Sequence, residues 1–196
     1  MSETTLVSLI TRRLCHDFAG PVGAVTAALD MLAEGNDPEL LALVADSAAS
    51  LSASLRLYRF ALAPGAGPVA SGTARALFCD WAKSRPDLIV DWRGDSEWPA
   101  GVAELTTGLA IVAAEAATRG GRLIVREGRV RLDAEIVRAE SGLEDVLAGN
   151  ALPRATDLAI AGALAAQAAS LGVALRVTRD EDGLALAAYQ PSGVPR

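Results

Sequence analysis

Between positions 5 and 32, apolar residues return every three or four places, at Ile10, Leu14, Phe18, Val22, Val25, Leu29 and Leu32. That spacing lays a single stripe along a helix. Glu34-Gly35-Asn36-Asp37-Pro38-Glu39 follows, and reads as a glycine stop, an Asp N-cap, a proline at the first helical position and an acidic first turn. A second helix is therefore predicted to about Leu62, with Leu40, Leu41, Val44, Ala48, Leu51, Leu55, Tyr58 and Leu62 on its stripe. Two helices joined so tightly form an antiparallel hairpin. A lone hairpin leaves its stripes uncovered, so a second copy is expected to complete a two-fold symmetric four-helix bundle.

Residues 64–72 are dense in Pro and Gly, the composition of a linker between domains rather than of a docking segment. Beyond it, short helical and strand patterns alternate. Helices are predicted near Thr73 to Lys83, Gly101 to Thr118, Leu143 to Leu147 and Asp157 to Ser170. Strands are predicted at Leu88 to Trp92, Arg122 to Arg126, Val130 to Ile136, Val173 to Thr178 and Leu184 to Tyr189, with hairpin turns at Glu127-Gly128-Arg129 and Asp180 to Gly183. The fold class is α+β: a helical hairpin over 1–63, forming a dimeric four-helix bundle, then a small α/β sandwich over 73–190 with helices on one face of a sheet. The tail 191–196 is expected to fray.

Composition narrows the function. Hydrophobic residues make up 51% of the 196 positions, too many for a disordered chain. A net charge of −6 and an aromatic content of 4% disfavour nucleic acid and anionic membrane surfaces, which call for a basic face or stacking platforms. Cys15, Cys79 and the single histidine cannot build a disulfide framework or a zinc site, and a reducing cytoplasm fits. Met1 to Thr5 carry no basic leader. The uncharged run Leu158 to Leu175 approaches a membrane span in length, but it is Ala-rich and broken by Gly162, Gln167, Ser170 and Gly172, and it reads as a helix ending before a strand.

His16 is the only histidine. At about 100° per residue it falls roughly 160 to 200° from the stripe of the first helix and faces outward. Arg12, Arg13, Ala19, Gly20 and Gly23 share that face. Gly20, Pro21 and Gly23 cost a helix roughly 1 kcal/mol per glycine and roughly 3 for proline, so something other than helix stability selects them. A solvent-facing histidine in a proline-kinked helix would need no further account. A flat patch around one nucleophilic nitrogen, however, suits a visiting protein that brings an electrophile into line. Imidazole is unprotonated near neutral pH and holds phosphoryl as a labile N-phosphate, and Arg12, one turn away, could neutralise it. Asp17 diverges from His16 by about 100°, so a tight pair is not expected; it orients the ring, accepts a proton, or is a solvated helix charge. Cys15 is read as a partly buried structural thiol. Arg56, Tyr58 and Arg59 could touch an acidic partner.

His16-Asp17-Phe18-Ala19-Gly20-Pro21 resembles the H-box of sensor histidine kinases. Together with the stretch from Leu14 to Ala24, Leu55-Arg56-Leu57-Tyr58-Arg59-Phe60-Ala61, and Ala113-Ala114-Glu115-Ala116 to Gly120-Gly121, it is similar to the ChpT-type histidine phosphotransferases. The resemblance extends over most of the chain. It implies that His16 is the phosphoacceptor on a homodimeric bundle, with Asp17 beside it. It also implies a face of Arg12, Arg13, Ala19, Gly20, Gly23, Arg56, Tyr58 and Arg59 that meets receiver domains, among them that of a hybrid histidine kinase.

The second module would be a degenerate relative of the kinase ATP-binding domain. Gly108 stands where kinases carry a magnesium-holding Asn, no Asp-x-Gly-x-Gly run is present, and Ala161-Gly162-Ala163 lacks a glycine-rich lid. No bound cofactor or metal is therefore expected in this chain, and the Mg²⁺ of the transfer would sit on the receiver. Two alternatives remain, a module that docks receivers without chemistry and an ATP-dependent sensor kinase.

Overall fold

The structure, a computed structural model, describes residues 3–33, 35, 37–94 and 96–190; the tail expected to fray lies outside the described residues. Helices α1 (Glu3–Leu32) and α2 (Pro38–Leu62) form the hairpin. α2 begins as its sequence dictates: Asp37 Oδ1 accepts from the Glu39 amide at 2.8 Å, with Pro38 at the first turn. α1 continues through Pro21, although proline has no N–H for the carbonyl of Asp17 four residues back.

After the hairpin come β1 (Val69–Ala70), α3 (Ser71–Ala82), β2 (Leu88–Trp92), β3 (Glu97–Trp98) and α4 (Val102–Ala116). They are followed by β4 (Gly121–Arg126), β5 (Arg129–Asp133), α5 (Leu143–Leu147), a 3-10 turn (Thr156–Leu158), α6 (Ala159–Ser170), β6 (Ala174–Asp180) and β7 (Gly183–Tyr189). The main sheet has the order β2-β4-β5-β7-β6, with β2 parallel to β4 and the other pairs antiparallel. Leu123, Val125, Val130, Leu132, Leu184 and Leu186 alternate inward from it and are buried under the helices. Its outer face is charged: Asp91 binds Arg93 and Arg122 at 2.6 and 2.7 Å, and Arg131 binds Asp180 at 2.8 Å.

Three departures from the sequence reading have physical causes. The linker expected over 64–72 is docked rather than free. Gly65 N donates to buried Glu104 at 3.0 Å, β1 pairs with β3, and Ser71 Oγ donates to the Gly94 carbonyl. The strand expected to reach Ile136 stops at Asp133, because its partner β7 begins opposite it at Gly183. The hairpin is also not left wholly to a second copy. Leu57, Tyr58 and Ala61 are buried in one core with Phe78, Trp81 and Leu105, and Leu14 and Phe18 pack against that core.

The hairpin nevertheless keeps exposed apolar side chains. Val22 and Leu29 on α1, and Leu41 and Leu55 on α2, are 48%, 51%, 49% and 48% exposed. α2 is long and apolar enough to cross a membrane, with a mean hydropathy of 1.4 over its best window, yet its C-terminal half is part of this core.

α4 is the centre of the α/β unit, and all of it but Val102 and Glu115 is buried, as befits a helix apolar on every side. Gly108 is what lets α6 approach: a Cβ there would overlap the Leu164 side chain. α6 in turn meets α1, where a Cβ on Gly162 would lie 2.7 Å from Pro153 Cγ and 3.0 Å from Leu6 Cδ1. α6 thus packs on both α1 and α4, and Arg13 in α1 reaches Glu115 near the C-terminal end of α4.

Candidate functional site

His16 sits midway along α1, and its side chain is 85% exposed. Arg12, Ala19, Gly20 and Gly23 are exposed with it, and no atom lies within 4 Å of where a Cβ on Gly20 or Gly23 would stand. The imidazole therefore projects from a helix face with almost no side-chain bulk on the following turns. Beside that face runs a groove of about 640 Å³ bounded by Gly20, Pro21, Ala24, Arg56 and Trp81. Arg56 is exposed and pairs loosely with Asp80 at 3.3 Å, and Arg59 is exposed as well.

Asp17 is not a solvated charge. Its Oδ1 lies 3.4 Å from His16 Nδ1, a long contact of the kind adjacent helical residues allow. Its Oδ2 accepts from Arg13 Nε and from the Tyr58 hydroxyl, both at 2.9 Å. Arg13 continues the chain of contacts, with Nη2 donating to Glu115 Oε1 at 2.7 Å and Nη1 to Asp157 Oδ1 at 3.1 Å. Phe18 closes the site from below, its ring edge-on to Tyr58 with centroids 6.1 Å apart.

Two residues expected on the partner face are thus turned inward. Tyr58 is 5% exposed and the Arg13 side chain 15%. Their hydrogen-bonding ends compensate two half-buried carboxylates, Asp17 and Glu115, that would otherwise be costly. Cys15, read as partly buried, is exposed. Glu115 and Asp157 carry no role in the sequence reading; the one available signal is an acidic residue set in the alanine run Ala113-Ala114-Glu115-Ala116.

Comparison with known proteins bears on this arrangement. The chain is similar to the protein phosphotransferase ChpT of Brucella abortus (strain 2308), 32% identical over 132 residues, which make up 64% of this chain and 62% of that protein. The match thus spans somewhat less than two thirds of the curated relative. It also superposes on the solved structure of a bacterial phosphotransferase with a TM-score of 0.80 at 20% identity, covering 96% of this chain and 98% of the other. The chain is thus similar in sequence to ChpT and shares the fold of that bacterial phosphotransferase. No family model matches the chain. The histidine kinase AdeS of Acinetobacter baumannii aligns with a TM-score of 0.46 at 12% identity, over 88% of this chain and 95% of the other.

The electrostatics of the site follow from its half-buried position. Burial pushes the Tyr58 phenol well above its ordinary range, and the Glu115 and Asp17 carboxylates push it further, so it remains a hydrogen-bond donor. For Arg13, burial acts to lower the value, but Glu115 and Asp17 outweigh it and hold the guanidinium charged. The Glu115 carboxyl is raised by burial and drawn back down by Arg13. Among the described residues no cluster of His, Cys, Asp or Glu is arranged to hold a metal ion.

Proposed function

We propose that this chain is a histidine phosphotransferase of a phosphorelay, in which His16 accepts a phosphoryl group from the aspartate of one receiver domain and passes it to the aspartate of another. The observation that carries this reading is the placement of His16, an exposed imidazole on a flat, glycine-lined face with one nitrogen turned toward a carboxylate. With its proton on Nδ1 facing Asp17, the ring keeps a lone pair on Nε2. That lone pair attacks phosphorus in line, the N–P bond forms as the aspartyl O–P bond breaks, and the receiver's carboxylate leaves. The new imidazolium is stabilised by Asp17, and Mg²⁺ held by the receiver would supply the charge that balances the phosphoryl oxygens. The second half reaction is the reverse, on another receiver.

The face that meets the receiver comprises Arg12, Ala19, Gly20, Gly23, Arg56 and Arg59, whose small and cationic residues suit an acidic pocket around an aspartate. A homodimer is part of the proposal. The exposed apolar residues Val22 and Leu29, and Leu41, Ala48 and Leu55, recur at heptad spacing, the pattern of a helical seam. The α/β unit neither binds ATP nor phosphorylates His16 in this reading; the packing of Leu164 against Gly108 supports it, since a magnesium-holding side chain there has no room. The setting is the cytoplasm.

His16→Gln should abolish labelling by a ³²P-phosphorylated receiver while the oligomeric state is unchanged. Transfer to that variant at the wild-type rate would refute the proposal, and binding of receivers without any transfer to the wild-type chain would leave a docking module in its place.

A further inference from the structure

Asp17 is held by groups from three separated parts of the chain. Arg13 reaches it from one helical turn earlier, Tyr58 from α2, and Glu115 of α4 grips the far end of Arg13. An Arg–Asp pair four residues apart on an exposed helix holds its side chains loosely, and arginine has several rotamers to lose. Here the guanidinium fork is engaged on both sides. Nε points at Asp17, while Nη2 and Nη1 are taken by Glu115 and Asp157 at 2.7 and 3.1 Å. Glu115 projects from a helix that is otherwise buried along nearly its whole length, so its position is set by the core of the α/β unit. The fork and the Tyr58 hydroxyl thus hold Asp17 Oδ2, and in this arrangement Oδ1 lies 3.4 Å from His16 Nδ1.

We infer that Glu115 is a positioning residue for His16: acting through Arg13 and Asp17, it holds the imidazole in the tautomer that keeps its proton on Nδ1 and its lone pair on Nε2. This rests on the phosphoacceptor role proposed for His16. It gives the α/β unit a task in the transfer without any nucleotide, since its central helix sets the geometry of a site on the hairpin. Glu115 touches no reacting atom, and its effect passes entirely through a carboxylate that does face the ring.

The test uses the single histidine, whose ¹⁵N imidazole signals need no assignment. In the full-length wild-type chain the shifts should report an excess of the Nδ1–H tautomer. Glu115→Ala should remove that excess and slow phosphoryl acceptance from a phosphorylated receiver by about tenfold, the low end of what loss of an outer carboxylate costs a functional histidine. Glu115→Gln, isosteric and so a guard against misfolding, should shift the signals in the same direction. Asp17→Asn should make the Glu115 substitution silent, the double variant transferring no more slowly than Asp17→Asn alone. Unchanged imidazole signals in a folded Glu115→Gln chain, or rate losses that multiply with Asp17→Asn, would overturn the inference. The tautomer measurement needs no phosphate, so a wild-type chain that takes no label at His16 would end the phosphotransfer reading while the imidazole signals still judge Glu115.

Discussion

Tyr58 shows how one side chain serves two purposes. Its ring is buried in the core and packs edge-on to Phe18, while its hydroxyl donates to Asp17 at 2.9 Å. Removing that hydroxyl takes one of two donors from a carboxylate that faces His16. Tyr58→Phe should cost about 1.5–3 kcal/mol at neutral pH, the range for a hydrogen bond to a charged group, as read by urea denaturation. Because the folded phenol titrates above its unfolded value, with burial as the chief cause, this contribution is complete below about pH 10 and is lost as the pH rises beyond it. The wild-type chain should therefore lose stability progressively as the pH rises above about 10, and Tyr58→Phe should decline less steeply; an equal slope in both would show that the phenol does not ionise with unfolding. The outward aim of His16 was legible in the sequence because it follows from helical angle alone. The inward aim of Arg13 was not, since its partner Glu115 lies 102 residues away and no local pattern couples them.

At the scale of elements, α1, α2, β2, α5 and the two antiparallel hairpins were legible, because each carries a period or a turn signal over enough residues. β1 and β3 were not: two-residue strands have no period, and they exist only because Val69 and Trp98 are brought opposite each other. The helix pair α4–α6 was visible as two alanine-rich runs, but its spacing is decided at Gly108. Gly to Ala in a helix interior normally gains about 1 kcal/mol. Here the added methyl meets the side chain of Leu164, itself fully buried, and overpacking of this kind costs about 1–3 kcal/mol. Gly108→Ala should thus be destabilising, with a lowered denaturation midpoint, and Leu164→Val in the same chain should recover part of the loss. A stabilised Gly108→Ala chain would mean that α4 and α6 sit further apart than described.

Across the whole molecule, the core that joins hairpin and sheet covers only one end of α1 and α2. The apolar stripe predicted for α1 is consequently divided, with Leu14 and Phe18 packed inward and Val22 and Leu29 left half exposed alongside Leu41 and Leu55 of α2. The separations of these residues, seven between Val22 and Leu29 and fourteen between Leu41 and Leu55, are multiples of a heptad, the spacing of a helical seam that a second copy would cover by an isologous contact. Placing charge in that seam separates its consequences from those of the site. A chain carrying Leu29→Glu and Leu41→Glu should sediment as a monomer at micromolar concentrations at which the wild type, on the proposed homodimer, should sediment as a dimer. Its α/β unit should remain folded, because neither residue belongs to the core. Arg13, Asp17, Tyr58 and Glu115 all belong to one chain, so the imidazole of His16 should keep its wild-type ¹⁵N signals in the monomer. A wild-type chain that is already monomeric at these concentrations would remove the seam's proposed occupant, while altered His16 signals in the charged variant would mean that the partner subunit shapes the site as well.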